Sequence, residues 1–290
     1  MQLKKLSLAF IRFILERWQN YYLCEHYANR IMKRVLIFVL SFLLIGGQAF
    51  AQKDSSMILP YSDWYSFEAP EKGYTVKFLK SSIAPLALAG AGLLIQANEP
   101  FKHELQTHLD WNKDFRVPMY EDELRWAPYY VGFMLPVFGV YPKHKALHAI
   151  PLAIGAYCLA DVCVSSLKRS TGIQRPNEKL HHLYNSFPSQ HTSMSFVAAT
   201  ILHHEYGHYS PWISVGGYAV ATYVGYTRIA QSYHWTADVL VGAAIGTFCT
   251  NLVYWAYDGL SDWICQDDES LSILPAYDGR NAYLSLSYQF

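Results

Sequence analysis

The sequence predicts an all-α protein with six helices and a short C-terminal β-hairpin. Hydrophobic residues make up 52% of the 290 residues and charged residues only 16%. Soluble globular chains carry about 25% charged residues, so the apolar side chains here must be buried in lipid or in a large core. Leu284, Leu286 and Tyr288 alternate with polar residues after an Asp278-Gly279 turn signal, which predicts the hairpin. Apolar runs with helical rather than alternating character predict the six helices, at 81–97, 125–140, 146–167, 192–204, 211–229 and 235–257.

Residues 1–51 are expected to be a leader with an export signal peptide. A basic head at Met32-Lys33-Arg34 precedes the apolar residues 35–45, and the stretch ends in Ala49-Phe50-Ala51. This order predicts cleavage after Ala51 and a true start at Met32. The alternative is an uncleaved membrane anchor, which the length disfavours because a span needs roughly 20 residues.

Three regions are expected after the leader. Residues 52–80 are polar and aromatic and contain Pro and Gly, so they are expected to form an irregular arm. Residues 81–258 are expected to form the helical domain, with an amphipathic helix or a surface loop over 99–124. Residues 259–290 are expected to form a tail that holds the hairpin. The formal net charge is zero, so no overall field recruits nucleic acid, and no such partner is predicted.

A first group of polar residues ends the third apolar run. Lys168 and Arg175 lie close together in the sequence, and Pro176 prevents the helix from continuing. Arg offers a planar fork for two oxygens and Lys offers a compact charge, a combination that suits a phosphate group. Taken alone, the pair is equally typical of solvated cations at a helix C-terminus.

A second group, Pro188-Ser189-Gln190-His191, directly precedes the run 192–204 and therefore lies at a helix start. Backbone N–H groups there, together with the Ser189 hydroxyl, would form an anion site, and His191 could protonate a leaving alkoxide. A capping serine beside an incidental surface histidine explains this group about as well when it is taken alone.

A third group runs from Thr227 to Asp238 and connects the last two apolar runs. His234 and Asp238 are four residues apart, which on a helix places both on one face. The carboxylate can then hold one imidazole nitrogen and leave the other free as a nucleophile. A purely structural pair is the alternative, although ionisable groups inside an apolar region indicate a functional site by default.

Together the three groups read K-x6-R-P, P-S-x-H and R-x5-H-x3-D, which resembles the signature of the phosphatidic-acid-phosphatase type 2 superfamily over about 81–257. The resemblance implies a six-helix bundle and a metal-independent phosphatase that acts on a phosphate ester or pyrophosphate of a lipid-like substrate. It implies that His234 attacks phosphorus, that His191 protonates the leaving oxygen, and that Asp238 orients His234. Water would then hydrolyse the phosphohistidine. By the same resemblance the phosphate is bound by Lys168, Arg175, Ser189, Gln190 and Arg228, without a cofactor.

Two positions depart from the usual pattern of the superfamily. Gln190 stands where the family generally has Gly, and Thr227 stands where it generally has Ser. Gln tolerates positive φ poorly, so Gln190 is expected to reshape the pocket or alter substrate choice. Asp161 precedes Lys168 on the same helical face and is expected to be a buried partner that tunes that helix. Histidines around Glu205 are expected to lie on the surface, at 203, 204 and 208.

Two other functions remain open at this point. One is a vanadate-dependent haloperoxidase, in which vanadate takes the place of phosphate in the anion site. The other is a non-catalytic envelope protein that retains the anion site as a binding site.

The expected location is the bacterial cell envelope, at the inner membrane or in the periplasm, with the active site facing the periplasm. The last two apolar runs carry almost no charge apart from Arg228 and Asp238, which favours contact with lipid. A cleaved leader followed by three complete spans would, however, place Lys168 on the cytoplasmic side. The conflict disappears if 81–97 or 125–140 does not span, because each is shorter than a typical span.

Overall fold

The computed structural model describes residues 70–109, 121–177, 182–266, 271–277 and 282–288. The predicted leader lies outside the described residues, as does most of the predicted arm. The first helix begins at Tyr74, so the arm ends earlier than the predicted boundary at residue 80. Gly73 precedes this helix in the left-handed conformation, with φ of 80°.

The described residues are mainly helical, which confirms the all-α class. The predicted runs 81–97, 146–167, 192–204 and 211–229 each lie within one helix, and 235–257 is helical from Thr236. The run 125–140 contains a short α-helix and a 3-10 helix. A further helix over Glu99–Leu109 covers the first part of the 99–124 segment, which is therefore a helix rather than a loop there. The last helix extends past the predicted end of the helical domain at 258. The helices are α1 (Tyr74–Ala97), α2 (Glu99–Leu109), α3 (Glu121–Leu124), α4 (Ala127–Met134) with a 3-10 helix (Leu135–Phe138), α5 (Ala146–Thr171), α6 (Gln190–Tyr206), α7 (Pro211–Ala230) and α8 (Thr236–Gln266).

Two short strands follow the helices. Strand β1 (Leu271–Tyr277) pairs antiparallel with β2 (Ala282–Tyr288). Leu271 lies opposite Tyr288 in the register, and Tyr277 lies opposite Ala282. The predicted Asp278-Gly279 turn lies outside the described residues.

Helix α8 is the centre of the packing and contacts α1, α5 and α6. Helix α8 closely approaches the start of α6 through two of its glycines, Gly242 and Gly246. A Cβ on Gly242 would lie 2.5 Å from the carbonyl oxygen of Ser189, and one on Gly246 would meet the carbonyl oxygen of Ser193. The two glycines therefore allow the backbones of α6 and α8 to touch, as small residues spaced by four do in membrane helices.

Replacing Gly242 with alanine is expected to destabilise the protein by about 1–3 kcal/mol, because the added methyl overpacks the contact with Ser189. Gly216 on α7 is the matched control, since nothing lies within 4 Å of a Cβ built there. Gly216→Ala is expected to leave the thermal unfolding midpoint unchanged or raise it, because Ala favours helix by about 0.5–1 kcal/mol over Gly. Equal midpoints for the two variants would contradict the close packing.

Within the described part of the chain, three helices are long and apolar enough to cross a membrane: α1, α5 and the Thr236–Cys265 part of α8. Large apolar side chains on α1 and α5 point outward, and Leu94 for example is 75% exposed. Such surfaces are stable in lipid rather than in water, so the fold associates the protein with a membrane. The predicted run 125–140 forms only a shorter apolar helix, whereas 81–97 lies in a helix of spanning length.

Candidate active site

The three polar groups predicted from the sequence meet at one end of the helices. Lys168, in the last turn of α5, donates from Nζ to the carbonyl oxygens of Asn185 at 2.7 Å and Ser186 at 3.3 Å. The N–H of Ser189, directly before α6, donates to the carbonyl oxygen of Asp238 at 2.9 Å. Asp238 lies in the first turn of α8. Direct hydrogen bonds therefore join the end of α5, the start of α6 and the start of α8.

A buried histidine and carboxylate form the centre of this site. Asp238 is fully buried and His234 is 3% exposed. His234 Nδ1 lies 3.4 Å from Asp238 Oδ2, and Ser186 donates its hydroxyl to the same carboxylate oxygen at 2.5 Å. Because Nδ1 faces the carboxylate, Nε2 is the ring nitrogen left for chemistry.

His234 and Asp238 do not share a helical face as predicted, because α8 begins only at Thr236. The N–H of Trp235 donates to Asp238 Oδ2 at 2.9 Å, so the carboxylate caps the helix start from its third position. The N–H of His234 donates to the carbonyl oxygen of Arg228 at 3.2 Å, which ties the histidine to the end of α7. A capping turn, rather than one helical turn, brings the pair together.

Burial lowers the pKa of His234 to about 4, although Asp238 opposes the shift. Lys168 and Arg175 add to the lowering, which indicates that their charges act on the ring. The imidazole is therefore neutral at neutral pH, and a neutral imidazole is the form that can act as a nucleophile.

Asn185 holds two of the predicted phosphate-binding cations. Its carbonyl oxygen accepts from Lys168, and its Oδ1 accepts from Arg175 Nε at 3.1 Å. The third cation, Arg228, is 7% exposed in the last turn of α7. Asn185 and Ser186 were not among the predicted site residues. Phe187 separates them from the second polar group, and their contacts with the site form only on folding.

Ser189 is fully buried at the N-terminal end of α6, but its side chain makes no capping hydrogen bond to that helix. Its hydroxyl oxygen accepts instead from Thr192 Oγ1 at 2.9 Å. Ser189 therefore occupies the N-cap position of α6 without making the side-chain hydrogen bond of a capping serine. His191 lies half-buried in the first turn of α6, at the end of the helix that favours negative charge.

Gln190 and Asp161, singled out separately in the sequence, are hydrogen-bonded to each other. Gln190 Nε2 donates to Asp161 Oδ1 at 2.7 Å, so the amide reaches towards α5. Gln190 is the first residue of α6 and, among the described non-glycine residues, only Ser232 has positive φ. The backbone at position 190, where the family generally has Gly, is therefore compatible with Gln. The Gln190 side chain that distinguishes this sequence from the family pattern is held by Asp161.

The expectation of a surface location is wrong for His204. Helix α6 continues to Tyr206, so this segment is not a short polar turn. Glu205 is 3% exposed and accepts from the Tyr254 hydroxyl at 2.6 Å and the backbone N–H of His144 at 3.0 Å. His204 stacks on Tyr254 with centroids 4.1 Å apart, and burial lowers its pKa to about 4. His203 and His208 are exposed, as expected.

Residues 151–262, which contain all the predicted site residues, match the model of the PAP2 superfamily. This part of the chain is therefore similar to the PAP2 superfamily. This confirms the resemblance found in the three polar groups. Among the described residues, no group of three His, Cys, Asp or Glu side chains could hold a metal ion.

Two curated proteins that are similar to this chain have names that describe lipid phosphatases. Over 104 residues the chain is 45% identical to lipid A 1-phosphatase of Porphyromonas gingivalis. This matched stretch covers 36% of this chain and 22% of that protein. Over 207 residues it is 28% identical to probable lipid phosphate phosphatase 4 of Arabidopsis thaliana, covering 56% of this chain and 67% of that protein. The chain thus spans only about a fifth of the first relative.

Two solved structures are also similar. The crystal structure of Aquifex aeolicus LpxE matches with 26% identity and a TM-score of 0.40, over 52% of this chain and 93% of that chain. The transmembrane PAP2 type phosphatidylglycerolphosphate phosphatase from Bacillus subtilis matches with 20% identity and a TM-score of 0.42, over 62% of this chain and 97% of that chain.

Proposed function

We propose that this protein is a membrane-associated phosphatase that removes phosphate from an ester or pyrophosphate of a lipid-like substrate through His234. One observation carries the proposal: a buried, neutral imidazole is oriented by a buried carboxylate. Lys168 and Arg175 are both held by Asn185, and their charges act on the imidazole ring of His234. The lipid phosphatase names of the two curated relatives agree with this chemistry.

In the proposed reaction His234 Nε2 attacks phosphorus, the bond to the leaving oxygen breaks, and His191 transfers a proton to that oxygen. Asp238 stabilises the charge that develops on the imidazole ring. Water, deprotonated by His191, then attacks the phosphohistidine. Inorganic phosphate leaves, and both histidines return to their starting protonation states.

The phosphate oxygens are proposed to be bound by the cationic side chains and by the start of α6. Their fixed positive charges stabilise negative charge on the transferring group, which is the main contribution in phosphoryl transfer. This assignment needs no metal ion. The proposed ligands of the phosphate are Lys168, Arg175, Arg228, the Ser189 hydroxyl and the backbone N–H groups near Gln190.

The proposed location is the inner membrane of a bacterial cell envelope, with the site facing the periplasm. The outward apolar side chains of α1 and α5 are suited to lipid contact. A lipid-like substrate would reach the site from the membrane surface.

The function is tested by measuring phosphate release from the purified protein in detergent, with and without EDTA. The substrates are a sugar 1-phosphate lipid, phosphatidate, phosphatidylglycerol phosphate and a polyprenyl pyrophosphate. We expect EDTA-resistant release from at least one of these lipids. Loss of all release in EDTA would reject the metal-independent mechanism. Absence of release from every lipid by folded protein would reject the lipid phosphatase, and peroxide-dependent halide oxidation with vanadate would then favour a haloperoxidase.

A further inference from the structure

Ser186 is a fully buried serine that contacts two parts of the candidate site at once. Its hydroxyl donates to Asp238 Oδ2 at 2.5 Å, and its carbonyl oxygen accepts from Lys168 Nζ at 3.3 Å. Its backbone N–H donates to the carbonyl oxygen of Ile173 at 2.9 Å, in the segment after α5. The hydroxyl, the carbonyl and the N–H of this residue are therefore all used, and two of them hold side chains of the site.

The Asp238 carboxylate receives its hydrogen bonds on one oxygen. Oδ2 accepts from the Ser186 hydroxyl and from the Trp235 N–H, whereas Oδ1 is buried and accepts no hydrogen bond from the described residues. The Trp235 N–H belongs to the turn that leads into Asp238 itself. Because the last torsion of an aspartate side chain is broad, a donor from another part of the chain is needed to set the plane of the carboxylate. Among the described residues, Ser186 supplies that donor.

The same hydroxyl lies next to the proposed nucleophile. Ser186 Oγ is 3.5 Å from His234 Nδ1, and Nδ1 is 3.4 Å from Asp238 Oδ2. The hydroxyl, the carboxylate oxygen and the ring nitrogen therefore meet at Nδ1, and Nε2 stays clear of them. A shift of the carboxylate would move the ring that it orients, and a misplacement of about 1 Å can cost roughly 100-fold in rate.

The Ser186 hydroxyl also acts on the charge of the pair. Burial lowers the pKa of His234 to about 4, and the charges of Lys168 and Arg175 add to the lowering. The Asp238 carboxylate opposes it. A carboxylate that accepts a hydrogen bond attracts a nearby proton less strongly, because the bond stabilises its negative charge. Without the Ser186 hydroxyl, the carboxylate would attract the proton more strongly, so the imidazole ring would become protonated at a higher pH.

We propose that Ser186 is a positioning residue of the phosphatase reaction. Its hydroxyl holds the Asp238 carboxylate so that His234 presents Nε2 to phosphorus, and its carbonyl oxygen keeps Lys168 beside the same site. The hydroxyl also weakens the attraction of the carboxylate for a second proton on the imidazole, so the ring stays neutral. This inference rests on the proposed phosphatase function and adds to it a residue outside the three predicted groups.

The test measures kcat and KM across pH for Ser186→Ala, Ser186→Cys and the unchanged protein, on the best substrate of the lipid panel. Alanine removes the hydroxyl and leaves the carbonyl that binds Lys168. We expect Ser186→Ala to lower kcat about 10- to 100-fold with KM within about threefold, because a hydrogen bond to a charged group is lost. The acid limb of the kcat/KM profile should move to higher pH by about half a unit to one unit. Ser186→Cys should be intermediate in both readouts, since a thiol is a weak donor.

Ser195→Ala is the matched control, because Ser195 is also fully buried and its hydroxyl has no hydrogen-bond partner among the described residues. It should keep kcat within about twofold and leave the acid limb in place. The thermal unfolding midpoint in detergent shows whether each variant is folded, and Ser186→Cys decides by the same readouts if Ser186→Ala does not fold. Normal kcat in a folded Ser186 variant, or a lower kcat with an unmoved acid limb, would overturn the positioning role and leave the phosphatase function intact. Absence of turnover by the unchanged protein would instead reject the phosphatase function itself.

Discussion

His234→Ala is expected to lower phosphate release by roughly 10⁴- to 10⁶-fold, because no other group replaces a lost nucleophile. The side chain is almost fully buried and contacts the Asp238 carboxylate. Initial rates on the best lipid substrate, together with the thermal unfolding midpoint in detergent, measure the effect. The loss should appear in kcat, since the cations proposed to bind the phosphate remain in place.

His208→Ala is the matched control for this prediction. His208 is exposed in the turn that follows α6, at the other end of that helix from Ser189. Its replacement should leave kcat within about twofold, as expected for surface substitutions away from a site. A His234→Ala protein that is folded and retains a tenth or more of the activity would show that another group attacks phosphorus.

The second largest effect is expected for Asp238→Asn, at roughly 10³- to 10⁴-fold in kcat with little change in KM. The asparagine Oδ1 can still accept from the Trp235 N–H and the Ser186 hydroxyl, because in the unchanged protein both donate to the same carboxylate oxygen. Asparagine carries no negative charge, so it cannot stabilise the positive charge that would develop on the imidazole in the proposed attack by His234. If the asparagine instead turned its amide nitrogen towards Nδ1 of His234, the amide N–H would force the imidazole proton onto Nε2, the nitrogen proposed to attack.

Asp258→Asn, on the same helix but at its opposite end, serves as the control for Asp238→Asn. The control should keep normal kcat. Equal activities for the two variants at equal stability would show that Asp238 has only a structural role as the cap of α8.

The residues that come together at the candidate site could be predicted from the sequence more fully than the residues that hold them in place. Lys168, Arg175 and His234 belong to motifs with fixed spacings, and these spacings reflect local turns and helix ends. Asn185 and Ser186 have no such spacing, because their roles depend on contacts with α5 and α8 that form only on folding. The His234 and Asp238 pair was predicted with the right partners but the wrong geometry, since i, i+4 spacing also fits a capping turn.

Helix boundaries were predicted less well, because hydrophobic periodicity misses polar residues inside helices. Lys77 lies within α1 and pairs with Glu71, so this part of the polar segment predicted as an irregular arm is helical. The histidines around Glu205 were expected on the surface, but Glu205 itself is buried. It is buried because Tyr254 and His144 satisfy its carboxylate, and such a long-range partnership cannot be predicted from composition.

Trapping the phosphohistidine tests the central claim most directly. The protein is mixed with an excess of labelled lipid phosphate, quenched in alkali within one turnover, digested and analysed by mass spectrometry. We expect the phosphoryl group on the peptide that contains His234, and none on that peptide in the His234→Ala variant. Turnover with no phosphorylated histidine at any quench time, or with the label on another residue, would contradict the account.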